Sequence, residues 1–124
     1  MQLARIMLVL GALAASGSNA RAHAIVLSAA PHAQETVAAG DVGVEIRFNS
    51  RIDAARSSLK LYKADGSAVA LPVLAAEAAE TLTSRATGLT PGDYRLHWQT
   101  LSPDGHISQG DIPFSVTPSS APQP

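Results

Sequence analysis

Two short stretches of the chain hold residues able to do chemistry. The first is His23, which follows Ala20-Arg21-Ala22, a small-x-small tripeptide of the kind a signal peptidase cuts after. Cleavage there would leave a histidine at the amino terminus, where its α-amine and its imidazole can grip one metal ion together. The second is Ser102-Pro103-Asp104-Gly105-His106. In extended or turning backbone, residues i and i+2 project to the same side, so Asp104 and His106 can reach one point while Gly105 leaves the approach open. Taken alone, Asp-x-His in a loop is more often a hydrogen-bonded turn than a ligand pair. Joined to a terminal His23, it completes a set of one amine, two imidazoles and one carboxylate.

Such a set suits a divalent ion of borderline softness in a tetragonal arrangement. That points first to Cu(II), then to Ni(II), with Zn(II) as a tetrahedral competitor. Calcium and magnesium would want oxygen. Cysteine is absent and both methionines, Met1 and Met7, precede the cleavage bond, so the processed chain offers Cu(I) no sulfur and the site should weaken on reduction. The ion must displace a proton from the α-amine, whose free pKa is about 8, so affinity should fall as pH drops through neutral.

Residues 1–22 read as a cleaved signal peptide: Arg5 supplies the positive start, Ile6 to Ala15 the apolar stretch and Ser16-Gly17-Ser18-Asn19 the polar break. The apolar stretch falls well short of the roughly 20 residues needed to span a bilayer. An uncleaved anchor or a mis-started reading frame is the competing reading. What remains, roughly 100 residues, is one domain's worth of chain. Its balance is mildly acidic, the full chain having a net charge of −1, with Lys and Arg scattered singly, so nothing suggests nucleic acid. Without cysteine, stability must come from packing alone, even in an oxidising compartment.

Apolar residues recur with period two. Val42, Val44, Ile46 and Phe48 alternate with Gly43, Glu45 and Arg47; Leu59 and Leu61 lead through Ala64-Asp65-Gly66 to Val69 and Leu71 as a hairpin; Tyr94, Leu96 and Trp98 oppose Arg95, His97 and Gln99; Ile112, Phe114 and Val116 close the pattern. With Ala24 to Leu27 as a first strand and a weaker one near Leu82 to Ala86, about seven strands are expected, in an all-β, immunoglobulin-like antiparallel sandwich of Greek-key type. Residues 23–117 form the domain in this reading. The Ala/Glu-rich Ala75 to Thr81 lacks a periodic stripe and reads as a loop, and residues 118–124 read as a disordered Ser/Pro tail.

Three blocks carry a resemblance to a known family. His23-Ala24 through Ser28 to Pro31, Val44-Glu45-Ile46-Arg47-Phe48-Asn49, and Gly92-Asp93-Tyr94-Arg95-Leu96-His97-Trp98 followed by Ser102-Pro103-Asp104-Gly105-His106 and Gly110 resemble the CopC family of periplasmic copper-resistance proteins. The resemblance implies a small β-sandwich that binds one Cu(II) ion through the amine and imidazole of His23 and through Asp104 and His106. Some members of that family also carry a Met-rich loop for Cu(I) at the opposite end of the barrel. The corresponding region here, taken as Ala75 to Thr81, has no Met, which makes the chain a Cu(II)-only type.

The function so implied is a monomeric periplasmic copper carrier or buffer, not an enzyme, serving copper homeostasis, resistance or uptake. The partner implied by the resemblance is an inner-membrane copper transporter of the CopD type. A histidine-brace copper oxidase or oxygenase is a second reading, opposed by the small size and by a carboxylate in a position oxygen chemistry needs open. A metal-free adhesion or chaperone module is a third. Of the remaining histidines, His32 reads as a solvated loop residue that could act as an auxiliary donor, and His97, opposite in parity to Trp98, as a solvent-facing residue outside the site. Tyr94 and Trp98 read as core aromatics, and Glu45 and Asp111 as candidate acceptors for a ligand imidazole.

Overall fold

Alternation along the chain becomes alternation across two sheets. The structure, a computed structural model, describes residues 24–119; the expected signal peptide, His23 and residues 120–124 lie outside the described residues. Eight strands form: β1 (Val26–Ala30), β2 (Glu35–Ala38), β3 (Gly40–Phe48), β4 (Ser58–Lys63), β5 (Ala68–Leu71), β6 (Thr81–Leu89), β7 (Gly92–Leu101) and β8 (Ile107–Thr117), with a 3₁₀ turn at Ala54–Arg56. A three-stranded sheet in the order β1-β3-β6 faces a five-stranded sheet in the order β2-β8-β7-β4-β5. Only β4–β5 and β7–β8 are hairpins within one sheet; the other connections pass between sheets. This is the expected all-β sandwich of immunoglobulin-like shape.

The inward residues are those the period-two pattern selects. Val42, Val44, Ile46 and Phe48 of β3 and Leu82 and Ala86 of β6 meet Leu59 and Leu61 of β4, Tyr94, Leu96 and Trp98 of β7 and Ile112, Phe114 and Val116 of β8, all buried. Burying one such aliphatic or aromatic side chain contributes roughly 1.5–3 kcal/mol, so this shared face is what a chain without cysteine has to hold it together. Trp98 packs edge-on against Phe48 with ring centroids 5.0 Å apart.

The structure departs from the sequence pattern at three points. Among the described residues there are eight strands, and the additional one, β2, runs parallel to β8, so the sheets are not wholly antiparallel. It follows Gln34, whose φ of 68° turns the chain onto the second sheet. The first strand begins at Val26 and not at Ala24, and its register with β3 shifts between Val26 and Ser28, a bulge that leaves Leu27 exposed. Lastly, Ala75 to Glu80 is a loop as expected, but it does not lie at the opposite end of the sandwich from the candidate site. Ala79 and Glu80 accept hydrogen bonds from the Ile52 and Phe48 amides at 3.0 and 2.9 Å, beside Asn49, which also holds Ile25.

The longest ladder in the molecule is β7–β8, running from Gly92↔Val116 to Leu101↔Ile107. β8 starts five residues earlier than Ile112, where the apolar alternation begins. The stretch Ser102–His106 is therefore the tip of a long, fully paired hairpin.

Candidate metal centre

The tip owes its shape to its sequence. Gly105 donates its amide to the Ser102 carbonyl at 2.9 Å, closing a turn with Pro103 and Asp104 at its centre, and Ser102 donates to the His106 carbonyl at 2.8 Å. Proline presets the first central position, and the φ of +93° at Gly105 is one that side chains rarely adopt, so Pro103 and Gly105 together specify this three-residue connection. Its base is tied down as well. Asp53 donates its amide to the Leu101 carbonyl at 2.7 Å, and Leu101 donates its own to the Ser57 hydroxyl at 3.2 Å.

Asp104 and His106 meet as their spacing predicts, with His106 Nδ1 3.1 Å from Asp104 Oδ1. A carboxylate only accepts, so the tautomer protonated at Nδ1 suits this contact and would leave Nε2 its lone pair for a metal. Ser102 completes the arrangement: its hydroxyl donates to Asp104 Oδ1 and accepts the His106 amide at 3.0 Å. Hydrogen bonds from Ser102 and then His106 hold the Asp104 carboxyl down to about 2, from an ordinary 3.8. Both donors are open to solvent, with side chains 66% and 52% exposed, so an ion can reach them. Among the described residues, no third His, Cys, Asp or Glu joins them in a metal-binding group.

The chain that leads back to His23 comes to the same place. Ala24 donates its amide to Ser108 Oγ at 2.8 Å across 84 residues of sequence. Ile25 donates to Asn49 Oδ1 at 2.9 Å, and the Asn49 amide donates to the Ile25 carbonyl at 2.9 Å. Ser108 lies two residues past His106, and in extended backbone the two share a side. Sequence reasoning missed Ser102, Ser108 and Asn49 as site-building residues. The Ser102 role could have been found, because a serine two residues before an aspartate is a common turn partner.

The other candidates lie elsewhere. His32 is 3.6 Å from Glu35 Oε1, and neighbouring Gln34 pairs with the Pro113 carbonyl, five residues and roughly 16 Å along β8 from Ser108. His97 lies on the outer face of the five-stranded sheet, its Nδ1 2.8 Å from Asp111 Oδ1. That aspartate also takes a bond from Arg95 at 2.7 Å, and Arg95 covers the Tyr62 ring at 4.1 Å. Burial raises the Asp111 carboxyl, but hydrogen bonds from His97 and Arg95 and their charges outweigh it and the net shift is downward. Asp111 does accept from an imidazole, then, though from His97 and not from a candidate ligand. Glu45 faces outward on the other sheet, opposite Thr83. Tyr94 is a core residue at the far end, stacked on Phe114, and Trp98 is core below the hairpin tip.

Comparison with known proteins adds to this geometry. The CopC domain matches residues 26–117, all eight strands. The chain belongs to the CopC family. Among solved structures, CopC from Methylosinus trichosporium OB3b is 31% identical with a TM-score of 0.71, covering 82% of this chain and all of that one. Copper resistance protein C of Xanthomonas campestris pv. juglandis is 28% identical over 87% of this chain and 91% of its own. Copper transport protein CutJ of Bacillus subtilis (strain 168) is 29% identical over 77% of this chain, which spans only 18% of CutJ's length. CopC proteins are copper-binding carriers and not enzymes, so the oxygenase reading and the metal-free module both give way.

Proposed function

We propose that the processed chain is a periplasmic carrier that holds one Cu(II) ion at the tip of the β7–β8 hairpin, through the amine and imidazole of His23, the His106 imidazole and the Asp104 carboxylate. The observation that carries this reading is the bond from the Ala24 amide to Ser108. A residue joined to Ala24 has its Cα about 3.8 Å from that of Ala24, whose amide is held by the Ser108 side chain of β8. His106 lies two residues from Ser108, about 7 Å along the strand. A terminal histidine at that point would bring its donors within range of an ion held by the hairpin tip. Asp104 Oδ1 is engaged by Ser102 and His106, which leaves Oδ2 for the ion.

The donor set supports Cu(II) over Cu(I), because every methionine precedes the proposed cleavage bond and cysteine is absent. Export by a signal peptide over residues 1–22 creates the site, since the amine exists only after the bond from Ala22 to His23 is cut. A monomeric carrier in the periplasm would pass the ion to an inner-membrane transporter of the CopD type; the likeness to one part of the longer copper transport protein CutJ supports such an association.

The test is competition titration of the processed protein with Cu(II) against a chelator of known affinity. His106→Ala and Asp104→Ala should each weaken binding by at least the ~10–100-fold seen when a metal site loses a supporting group. Unchanged affinity in His106→Ala would remove the hairpin tip from the site.

A further inference from the structure

The regular pairing of β1 with β3 ends at Val26↔Phe48. Ala24 and Ile25 lie beyond it, yet both are fixed, each by a side chain from a different sheet. Asn49, directly after β3 of the three-stranded sheet, accepts the Ile25 amide at 2.9 Å and returns its own amide to the Ile25 carbonyl at 2.9 Å. Ser108, on β8 of the five-stranded sheet, accepts the Ala24 amide at 2.8 Å. Ser108 has the parity of Ile112 and Phe114, the buried side of β8, and Ala24 packs against the core. Terminal residues ordinarily fray unless something ties them down. Here the ties bridge the mouth of the sandwich and stop one residue short of His23.

We propose that Ser108 and Asn49 are positioning residues for the metal site: together they hold Ala24 and Ile25, the two residues next to the processed amino terminus, in place before any ion binds. The inference rests on the Cu(II) site proposed above and adds the reason that site differs from a free N-terminal histidine peptide. A peptide must lose backbone freedom as it gathers its donors, whereas this chain has lost it on folding. Ordering one backbone residue changes an equilibrium constant by about tenfold, and that factor is what each clamp supplies.

The experiment uses the processed protein with Ser108→Ala, Ser108→Thr and Asn49→Ala. Three readouts are taken: amide hydrogen exchange at Ala24 and Ile25 in the metal-free protein, Cu(II) affinity by chelator competition, and the EPR spectrum of the Cu(II)-loaded form. Near-UV circular dichroism of Trp98 verifies that each variant is folded. Ser108→Ala should lose protection at Ala24, weaken Cu(II) about tenfold and replace a single EPR signal by a mixture. Ser108→Thr, which keeps the hydroxyl, should restore all three. Asn49→Ala should act in the same direction through Ile25, and it keeps the proposal open to test if Ser108→Ala does not fold. Lost protection with affinity and EPR signal intact in a folded variant overturns the proposal, because the clamp would then be structural only. A parallel chain with one residue inserted before His23 separates the two claims. Weakening by the insertion but not by the clamp variants defeats positioning alone; no weakening by the insertion defeats the site itself.

Discussion

Gly110→Ala should destabilise this protein although alanine usually improves on glycine inside a strand. Gly110 lies opposite Trp98 in the β7–β8 ladder. A Cβ added there would meet the Trp98 ring at 2.7, 2.9 and 3.0 Å (Cζ2, Cε2 and Nε1), well inside the roughly 3.5–4.0 Å at which carbon atoms attract. The ring has nowhere to retreat, being 6% exposed and packed against Phe48 at 5.0 Å. Overpacking of this kind costs about 1–3 kcal/mol, more than the ~0.5–1 kcal/mol that replacing a strand or helix glycine by alanine recovers. At about 4–8 °C per kcal/mol for a domain of this size, the net change is a Tm lower by several degrees, up to about 20 °C. Thermal melts followed by far-UV circular dichroism, with Trp98 fluorescence reporting ring displacement, measure it. A Tm equal to or above wild type would refute the packing argument and with it the account of Gly110 as the residue that admits Trp98 beneath the hairpin tip.

Three further outcomes are expected. Ser102→Ala should raise the Asp104 pKa from about 2 toward its ordinary 3.8, read by NMR titration of the side-chain carboxyl; an unmoved value would mean the hydroxyl does not donate to it. Cu(II) affinity of the processed protein should fall as pH drops from about 8 to 5, because protons compete for the α-amine and the imidazoles, while Asp104, depressed to about 2, stays ionised throughout; a profile flat over that range and falling only below pH 4 would assign the control to the carboxylate. His97→Ala should leave Cu(II) affinity unchanged and cost no more than about 1 kcal/mol, since its partly exposed pair with Asp111 is of the weak class; a large loss of affinity would place His97 in the site.

Much of this arrangement is legible in the chain because its two strongest signals are local. The inward run from Val42 to Phe48 needs only period two to be recognised, and Asp104 and His106 meet because two residues separate them on a proline–glycine turn. Signals that depend on distant partners are not readable in the same way. β2 is four residues with Val37 as its one large apolar side chain, and it exists because Gln34 turns its backbone onto β8. β8 begins at Ile107, five residues before its apolar alternation, because ladder bonds with β7 and not side-chain burial extend it. The clamp from Ala24 to Ser108 spans 84 residues, and neither residue type announces it. The place of the loop from Ala75 to Glu80 is unreadable for the same reason, since only its bonds to Phe48 and Ile52 set it at the end of the sandwich that carries the candidate site.

The central claim is that the site comes into being when the bond between Ala22 and His23 is cut. Its most direct measurement is a Cu(II) titration of the processed protein beside the same protein carrying one extra residue before His23, with the metal-free fold of both verified. The added residue, by converting the amine into an amide, should weaken Cu(II) binding by a factor of about ten or more. Equal affinities would contradict it, and would show that the amine of His23 is not a ligand.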